Sequence, residues 1–159
     1  MGQEIERKFL VKRDFWQQQE KSGQIYRQGY LNSAKERTVR VRLIGDRGIL
    51  TIKGEAQGLT RPEYEYDLPL EEAQELLKLC EQPLIEKKRY KIKQGDLTWE
   101  VDEFFGENEG LIIAEVELEH EQQGFEYPAW LDQEVTGDPR YFNANLVRQP
   151  YRSWPAEAK

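Results

Sequence analysis

Charged side chains alternate with apolar ones from the start of the sequence, in the stretch EIERKFLV. On a strand with a period of two, Glu4, Glu6 and Lys8 fall on one face, whereas Ile5 and Phe9 fall on the other. Two carboxylates on one face can bind a hard divalent cation such as Mg²⁺ or Mn²⁺ through oxygen, and a lysine can bind an anion. This stretch therefore carries side chains suited to metal or anion chemistry.

The alternation recurs in later stretches, and each of these carries mainly one sign of charge. The further basic positions are Arg40, Arg42, Lys53, Lys87 and Arg89. The further acidic positions are Glu63, Glu65, Glu100, Asp102, Glu115 and Glu117. Like charges two residues apart on a strand repel one another unless a group of opposite sign lies between them. The pattern favours a divalent cation for the acids and a polyphosphate for the bases, since Arg binds phosphate in a bidentate fork.

The elements that must position these residues are mostly strands. We predict strands over 4–11, 24–31, 37–44, 48–54, 62–68, 86–93, 97–104 and 111–119, with tight turns at 45–48 and 93–96. Helices are predicted over 13–23, 68–82 and 137–150, from apolar spacing and from flanking Pro and Gly, with Asp138 as a cap. Many strands and few helices indicate one antiparallel sheet system, either a sandwich or a barrel.

Two interpretations of the charged faces follow from this arrangement. On an ordinary exposed sheet the charges would point to water, and for any single strand this is the better interpretation. Like-charged pairs in so many strands are costly on a solvated face, however, and favour a closed barrel with a charged lumen. The outward-facing residues would then be Ile5, Phe9, Val39, Val41, Ile52, Tyr64 and Tyr66. Helices would have to cover that outer face.

Length and composition limit the classes of protein to consider. The 159 residues suffice for one domain, which we expect over 1–152 with a frayed tail at 153–159. A net charge of -7 argues against general nucleic-acid binding, because phosphate backbones repel it. The single Cys80 excludes an internal disulfide, and no apolar run approaches the roughly 20 residues that span a bilayer. With no signal peptide before Glu4, these features favour a cytoplasmic location without a membrane partner.

Taken together, the charged stretches resemble the CYTH superfamily, the triphosphate tunnel metalloenzymes, and most of all its small bacterial members. The resemblance covers nearly the whole chain and rests on the ordered set EIERKFLV, QGYL, VRVR, TIKGE, EYEYD, EKKRY, WEVDEF, AEVELE and EVTGDPRYFN. It implies a mainly β (α+β) fold, a closed antiparallel eight-stranded β-barrel with a triphosphate in its lumen and a few helices packed outside. Members include inorganic, thiamine and RNA triphosphatases and class IV adenylyl cyclases, so the fold transfers better than the substrate.

Carried over residue by residue, the resemblance implies three groups of site residues. Substrate phosphates would be bound by Lys8, Arg40, Arg42, Lys53, Lys87 and Arg89. Metal would be held by Glu4, Glu6, Glu100, Asp102, Glu115 and Glu117. Catalytic roles are expected for Lys8, Glu63, Glu65 and Tyr30. Two alternatives stay open: Glu63 and Glu65 either orient the attacking water or hold basic side chains, and Tyr30 is either a hydrogen-bond partner of Lys8 or a core residue.

These expectations combine into a triphosphatase that depends on Mg²⁺ or Mn²⁺ and cleaves inorganic tripolyphosphate to diphosphate and phosphate. Its catalysis would consist of positioning and charge stabilisation, without a Ser, Cys or His nucleophile. The alternatives are a class IV-type adenylyl cyclase, a thiamine triphosphatase and a non-catalytic module that binds polyphosphate or nucleotide. The expected partner is a small-molecule triphosphate, and the chain is expected to be a monomer or homodimer. Glu115 and Glu117 are expected to crowd other acids in the metal-free protein.

Overall fold

The computed structural model describes residues 2–19 and 22–159 and shows a closed antiparallel barrel. Its strands are β1 (Gln3–Val11), β2 (Gly23–Asn32), β3 (Arg37–Ile44), β4 (Arg47–Gly54), β5 (Thr60–Leu68), β6 (Ile85–Gln94), β7 (Leu97–Phe104), β8 (Ile112–Glu117) and β9 (Leu131–Glu134). The first eight follow the order β5-β4-β3-β2-β6-β7-β8-β1, and pairing of β1 with β5 closes the ring. The predicted eight-stranded barrel is confirmed, and the sandwich alternative is wrong.

The ninth strand was not expected from the sequence. β9 pairs with β1 at Phe9 and Val11, beyond the part of β1 that pairs with β5. One edge of β1 is therefore shared between β5 and β9, while β8 occupies the other edge over residues 6–10. The four residues of β9 include one apolar side chain, Leu131, so the segment carries too little alternation to predict a strand.

Strand register places the alternating charges inside the barrel. Lys8 lies opposite Glu115 across β1 and β8, and Arg89 lies opposite Asp102 across β6 and β7. Arg40 and its paired residues of β2 and β4 continue this inner face, and its side chain is buried. Because residues in register on neighbouring strands share a face, the charged rows line one lumen. The interpretation as an ordinary water-exposed sheet is therefore wrong.

The first helix covers part of the outer face but is shorter than predicted. α1 (Arg13–Gln17) buries Trp16 in an aromatic cluster that includes Phe9. No apolar residue follows Trp16 at helical spacing before Gly23, so nothing would hold a further turn against the barrel. Positions 20 and 21 of the predicted helix lie outside the described residues.

The second helix covers another part of the outer face. α2 (Leu70–Leu79) packs Leu77 into a cluster with Val41, and burial of such a side chain stabilises the fold by roughly 1.5–3 kcal/mol. The outer face of β5 is different, because Tyr64 and Tyr66 are 52% and 56% exposed. The helices therefore cover the predicted outer face only in part.

The third predicted helix is two short helices with a break between them. A 3₁₀ turn at Pro139–Tyr141 is capped by Asp138, whose carboxylate accepts a hydrogen bond from the Arg140 backbone N–H, as the predicted cap requires. Phe142 is then extended, with φ −71° and ψ 132°, before α3 (Asn143–Arg148) begins. The break places the Phe142 ring beneath the Lys8 ammonium, 5.5 Å from ring centroid to Nζ.

The short helix α3 closes the lumen at the end of the barrel where β6 begins. Its Leu146 and Val147 are buried in an apolar cluster with Ile85 and Phe104 from the barrel wall. The start of α3 bounds the lumen at this end, where Asn143, Ala144 and Asn145 line it.

The chain after α3 packs through Trp154 against the apolar cluster that contains Ile85 and Phe104. The ring centroid of Trp154, inside the predicted tail, lies 5.3 Å from that of Tyr141. Its indole N–H donates to the Gln149 carbonyl over 2.9 Å. Across the described ranges, no helix is both long enough and apolar enough to cross a membrane.

Candidate active site

The lumen is a cavity of about 540 Å³ that the predicted site residues line together. Its walls include Glu4, Glu6, Lys8, Tyr30, Arg40, Arg42, Lys53, Glu63, Glu65, Lys87, Arg89, Glu100, Glu115 and Glu117. Asp102 lies behind this wall and is 1% exposed. Period-two alternation on a closed barrel brings these distant positions together, because the inner side of every strand faces the same space.

Asp102 binds two basic side chains at once. Its Oδ2 lies 2.7 Å from Lys87 Nζ, and its two oxygens accept from Arg89 Nε and Nη2 over 2.7 and 2.8 Å. Burial alone would raise the pKa of Asp102, but the charges of Arg89 and Lys87 outweigh it and lower that pKa. We call Lys87, Arg89 and Asp102 the closed salt-bridge cluster. Its geometry fixes the two cations, and the predicted metal-ligand role of Asp102 stays a prediction.

Lys53 lies between two carboxylates on the opposite side of the lumen. Its Nζ is 2.9 Å from Glu4 Oε1 and 3.4 Å from Glu63 Oε2. Burial by itself would raise the pKa of Glu4, but the Lys53 ammonium lowers it. Burial and the charge of Glu4 raise the pKa of Glu63. These contacts support a role for Glu63 in holding Lys53.

Arg40 makes few contacts for a buried guanidinium. Its Nη2 lies 3.1 Å from the Thr51 hydroxyl and 3.9 Å from Glu65 Oε2. Its Nε is buried and has no hydrogen-bond partner in the part of the chain that the structure describes. Burial and the charges of Arg40 and Arg89 lower the pKa of neighbouring Arg42 to about 9. An anion in the cavity would relieve the repulsion among these guanidinium groups.

Lys8 and Arg89 approach Glu115 from two sides. The nitrogen-to-oxygen distances are 3.7 Å to Lys8 and 3.9 Å to Arg89. Burial would raise the pKa of Glu115, but these cations lower it to about 2. The expected crowding of Glu115 by other acids is therefore wrong, because its cations dominate. Glu100 has a partner as well, since its Oε2 lies 3.4 Å from Arg89 Nη1.

Glu6 and Glu117 form a contrasting pair, which we call the open acidic pair. They are in register across β1 and β8, and within the described residues no Lys, Arg or His side chain lies within 4.0 Å of either carboxylate. Burial, Glu115 and Glu4 raise the pKa of Glu6 to about 8. Burial and neighbouring acids raise the pKa of Glu117 as well, so the expected crowding is confirmed there.

The open acidic pair fits a hard divalent cation by donor type, because neither carboxylate has a cationic side-chain partner among the described residues, and burial and neighbouring acids raise the pKa of both. In the described residues, no three acidic, His or Cys side chains already converge in a metal-binding arrangement. Mg²⁺ commonly takes only one or two carboxylates and completes its shell with water and substrate phosphates. The donors present are therefore sufficient for an ion that is shared with a polyphosphate.

Tyr30 lies at the closed end of the lumen. It is 6% exposed and packs in the apolar cluster that contains Ile85 and Phe104. Among the described residues its hydroxyl forms no hydrogen bond with Lys8, so the interpretation as a core residue fits better. Its predicted catalytic role stays a prediction.

Several uncharged residues of the site were missed by the sequence analysis. Gln28 is 0% exposed, and its Oε1 accepts from Arg42 Nε over 2.6 Å. Asn143 Oδ1 accepts from Gln28 Nε2 and from Lys87 Nζ, both over 3.1 Å. Gln28 has the inner-face parity of β2 and begins the stretch QGYL, and either signal could have found it. Asn143 lies outside the strands, and its signal is its place at the end of the stretch EVTGDPRYFN.

Comparisons with known proteins agree with this geometry. The family model of the CYTH domain matches residues 2–151. The inorganic triphosphatase of Acetivibrio thermocellus is 54% identical over 97% of this chain and 99% of its own length. The inorganic triphosphatase of Nitrosomonas europaea is 38% identical over 91% of this chain and 96% of its own length.

A solved structure of an inorganic triphosphatase, NE1496, superposes with a TM-score of 0.65 at 35% identity, covering 95% of this chain and 99% of that one. The match of fold and sequence extends over the same strands that line the charged lumen. The chain belongs to the CYTH domain family.

Proposed function

We propose that this chain is a triphosphatase that hydrolyses inorganic tripolyphosphate, with water, to diphosphate and phosphate, and that it needs a divalent cation. One observation carries the proposal: the six predicted basic side chains meet in one cavity. Relatives that carry the name inorganic triphosphatase support the same substrate.

The basic side chains act on the phosphates by position and charge. Lys8, Arg40, Arg42, Lys53, Lys87 and Arg89 surround the space available to the substrate. Phosphoryl transfer needs little covalent chemistry from a protein, so fixed cations around the transferred group and the leaving diphosphate supply much of the catalysis. Salt bridges fix several of these cations before substrate arrives, which lowers the cost of ordering them.

Of the carboxylates predicted to hold metal, we propose that the open acidic pair is the main ligand set, because Glu6 and Glu117 are not engaged by side-chain cations among the described residues. A bound Mg²⁺ or Mn²⁺ supplies charge for the phosphates and lowers the pKa of coordinated water. Glu4, Glu100, Asp102 and Glu115 hold cations of the wall. Glu65 lies near Arg40, and its contact supports the same holding role that Glu63 has for Lys53.

The test is a phosphate-release assay on the purified chain with tripolyphosphate, ATP and thiamine triphosphate, each with Mg²⁺, with Mn²⁺ and with EDTA. We expect release from tripolyphosphate to be fastest and to disappear in EDTA. Full activity in EDTA would contradict the metal requirement. Cyclic AMP from ATP without phosphate release would identify a cyclase instead, and binding without turnover would identify a binding module.

Arg42→Ala provides the matching variant test. Removing a cation that stabilises the transition state should lower kcat/KM by about 100-fold or more. The control is Arg47→Ala, because Arg47 is also an arginine near a lumen-lining strand but has a side chain 67% exposed. Equal kcat/KM for the two variants would place the substrate elsewhere.

A further inference from the structure

Two amides connect helix α3 to the basic side chains of the lumen. Asn143 Oδ1 accepts from Lys87 Nζ and from Gln28 Nε2, each over 3.1 Å. Gln28 bridges Asn143 and Arg42, because its Oε1 also accepts a hydrogen bond from Arg42 Nε over 2.6 Å. One side-chain oxygen at the start of α3 is thus joined to two of the proposed phosphate-binding cations, which come from different strands.

Resting on the proposed function, we propose that Gln28 and Asn143 are positioning residues that hold Arg42 and Lys87 at the geometry that phosphoryl transfer requires. These contacts are buried: Gln28 is 0% exposed, and Lys87, which donates to Asn143, is 1% exposed. A long cationic side chain has many rotamers. Fixing its rotamer before the substrate binds lowers the entropy cost of binding. A displacement of 1 Å at such a site can cost about 100-fold in rate.

The neutrality of the Gln28 amide distinguishes it from the acids that hold the other cations. Arg89 is fixed by Asp102, whose negative charge offsets part of what Arg89 offers to an anion. Arg42 Nε is fixed by the Gln28 amide, and no acid within 4.0 Å of Arg42 is found among the described residues. An amide oxygen orients a guanidinium without neutralising it. Arg42 therefore keeps its full charge for the phosphate.

The position of Asn143 also makes the seating of α3 part of the site. α3 is held by Leu146 and Val147 in the apolar cluster at the closed end of the lumen. Because Asn143 begins this helix directly after the extended Phe142, its amide is held in place by the same packing. Helix α3 thus also sets the orientation of the Arg42 and Lys87 side chains in the wall of the lumen.

The experiment compares Gln28→Leu, Asn143→Leu and the double variant with Leu77→Ala as control. Leu is close in size to the amides but cannot hydrogen-bond, and Leu77→Ala weakens the packing of α2 on the outer face of the barrel, away from α3 and the two amides. We expect each Leu variant to lower kcat/KM for tripolyphosphate at least 10-fold, and the double variant to be less than threefold worse than the poorer single. Leu77→Ala should keep kcat/KM within twofold at a similar loss of melting temperature. If Asn143→Leu does not fold, Asn143→Ala replaces it.

A second measurement does not depend on turnover. The Arg42 Nε–H cross-peak in a ¹H–¹⁵N spectrum should shift in both Leu variants and stay in place in Leu77→Ala. The positioning role is overturned if Asn143→Leu loses no more activity than Leu77→Ala, if the two Leu effects multiply, or if the cross-peak does not move. Absence of tripolyphosphate hydrolysis by the wild type would instead overturn the proposed function, and the cross-peak would still test the link.

Discussion

The closed salt-bridge cluster and the open acidic pair use similar side chains on neighbouring walls of one lumen, yet their electrostatics are opposite. In the cluster, Asp102 has two cations within 2.8 Å, and they lower its pKa. In the pair, Glu6 faces Glu117, and burial and neighbouring acids raise the pKa of Glu6 to about 8.

The difference shows that a carboxylate in this lumen takes its role from its neighbours across the strands and not from its strand pattern. Arg89 and Lys87 stabilise the charged form of Asp102, so its salt bridges stabilise the folded protein without any ligand. Glu6 is destabilised by being charged, so its charge is tolerated only at a cost that a cation would relieve. The first group preorganises the wall, and the second supplies the carboxylates to which we assign the proposed divalent cation.

The largest effect is expected for Asp102→Asn. This change removes the carboxylate that lies nearest to two buried cations, which should lower the free energy of unfolding by about 3 kcal/mol or more. Denaturant unfolding at pH 7 measures it. The control is Asp67→Asn, because the Asp67 side chain is 82% exposed and its removal should cost no more than about 0.5 kcal/mol. Similar losses for both variants would show that the cluster does not stabilise the fold.

A smaller loss of about 1–2 kcal/mol is expected for Glu115→Gln, because Lys8 and Arg89 lie farther from this carboxylate and a glutamine keeps its shape. The folded pKa of Glu115 lies below its unfolded value. Its stabilising contribution is therefore present above about pH 4.5 and is lost as pH falls towards about 2. The wild type and the variant should converge in acid, and a constant difference from pH 7 to pH 3 would contradict this.

Glu6→Gln should change stability with the opposite sign. Because the folded pKa of Glu6, about 8, is above the unfolded value of 4.5, the metal-free wild type should lose stability as pH rises from about 5 to 8. The variant should lack this slope and be the more stable protein at pH 8 in EDTA. Thermal melts across this range measure both, and parallel pH profiles for the two proteins would show that Glu6 is not crowded.

The smallest effect on stability is expected for Glu117→Gln. The side chain is exposed at the rim of the lumen, so metal-free stability should stay within about 0.5 kcal/mol of the wild type. The stabilisation gained from added Mg²⁺ with tripolyphosphate should nevertheless fall, because an amide is a poorer ligand for a hard cation. An unchanged gain would remove Glu117 from the proposed metal ligands.

Most of the fold could be predicted because a closed barrel converts a period-two pattern directly into an inside and an outside. The charged rows on β1, β3 and β6 needed no knowledge of long-range pairing to be assigned to one face. β9 could not be predicted, because it pairs with β1 through backbone hydrogen bonds and its side chains show little apolar alternation. The break at Phe142 was missed for a similar reason, because the helix signals on both sides of it are continuous.

Within the site, residue types could be predicted but partners could not. Glu115 and Glu117 are indistinguishable on their strand, and the structure separates them because Lys8 and Arg89 reach only the first. Gln28 and Asn143 carry no charge, so a pattern of charges passes over them. Which cation meets which acid depends on register and shear between strands, and a single sequence does not encode these in its local pattern.

The pairing of β1 decides when this protein can acquire its site during synthesis. β1 carries Glu4, Glu6 and Lys8 and is the first strand to leave the ribosome, yet its partner β8 is the last strand of the ring. Contacts between such distant segments form late, because closing the long loop between them costs conformational entropy before the contacts can stabilise the chain. We therefore expect the ring to be complete, and Glu6 to meet Glu117, only after β8 has been synthesised.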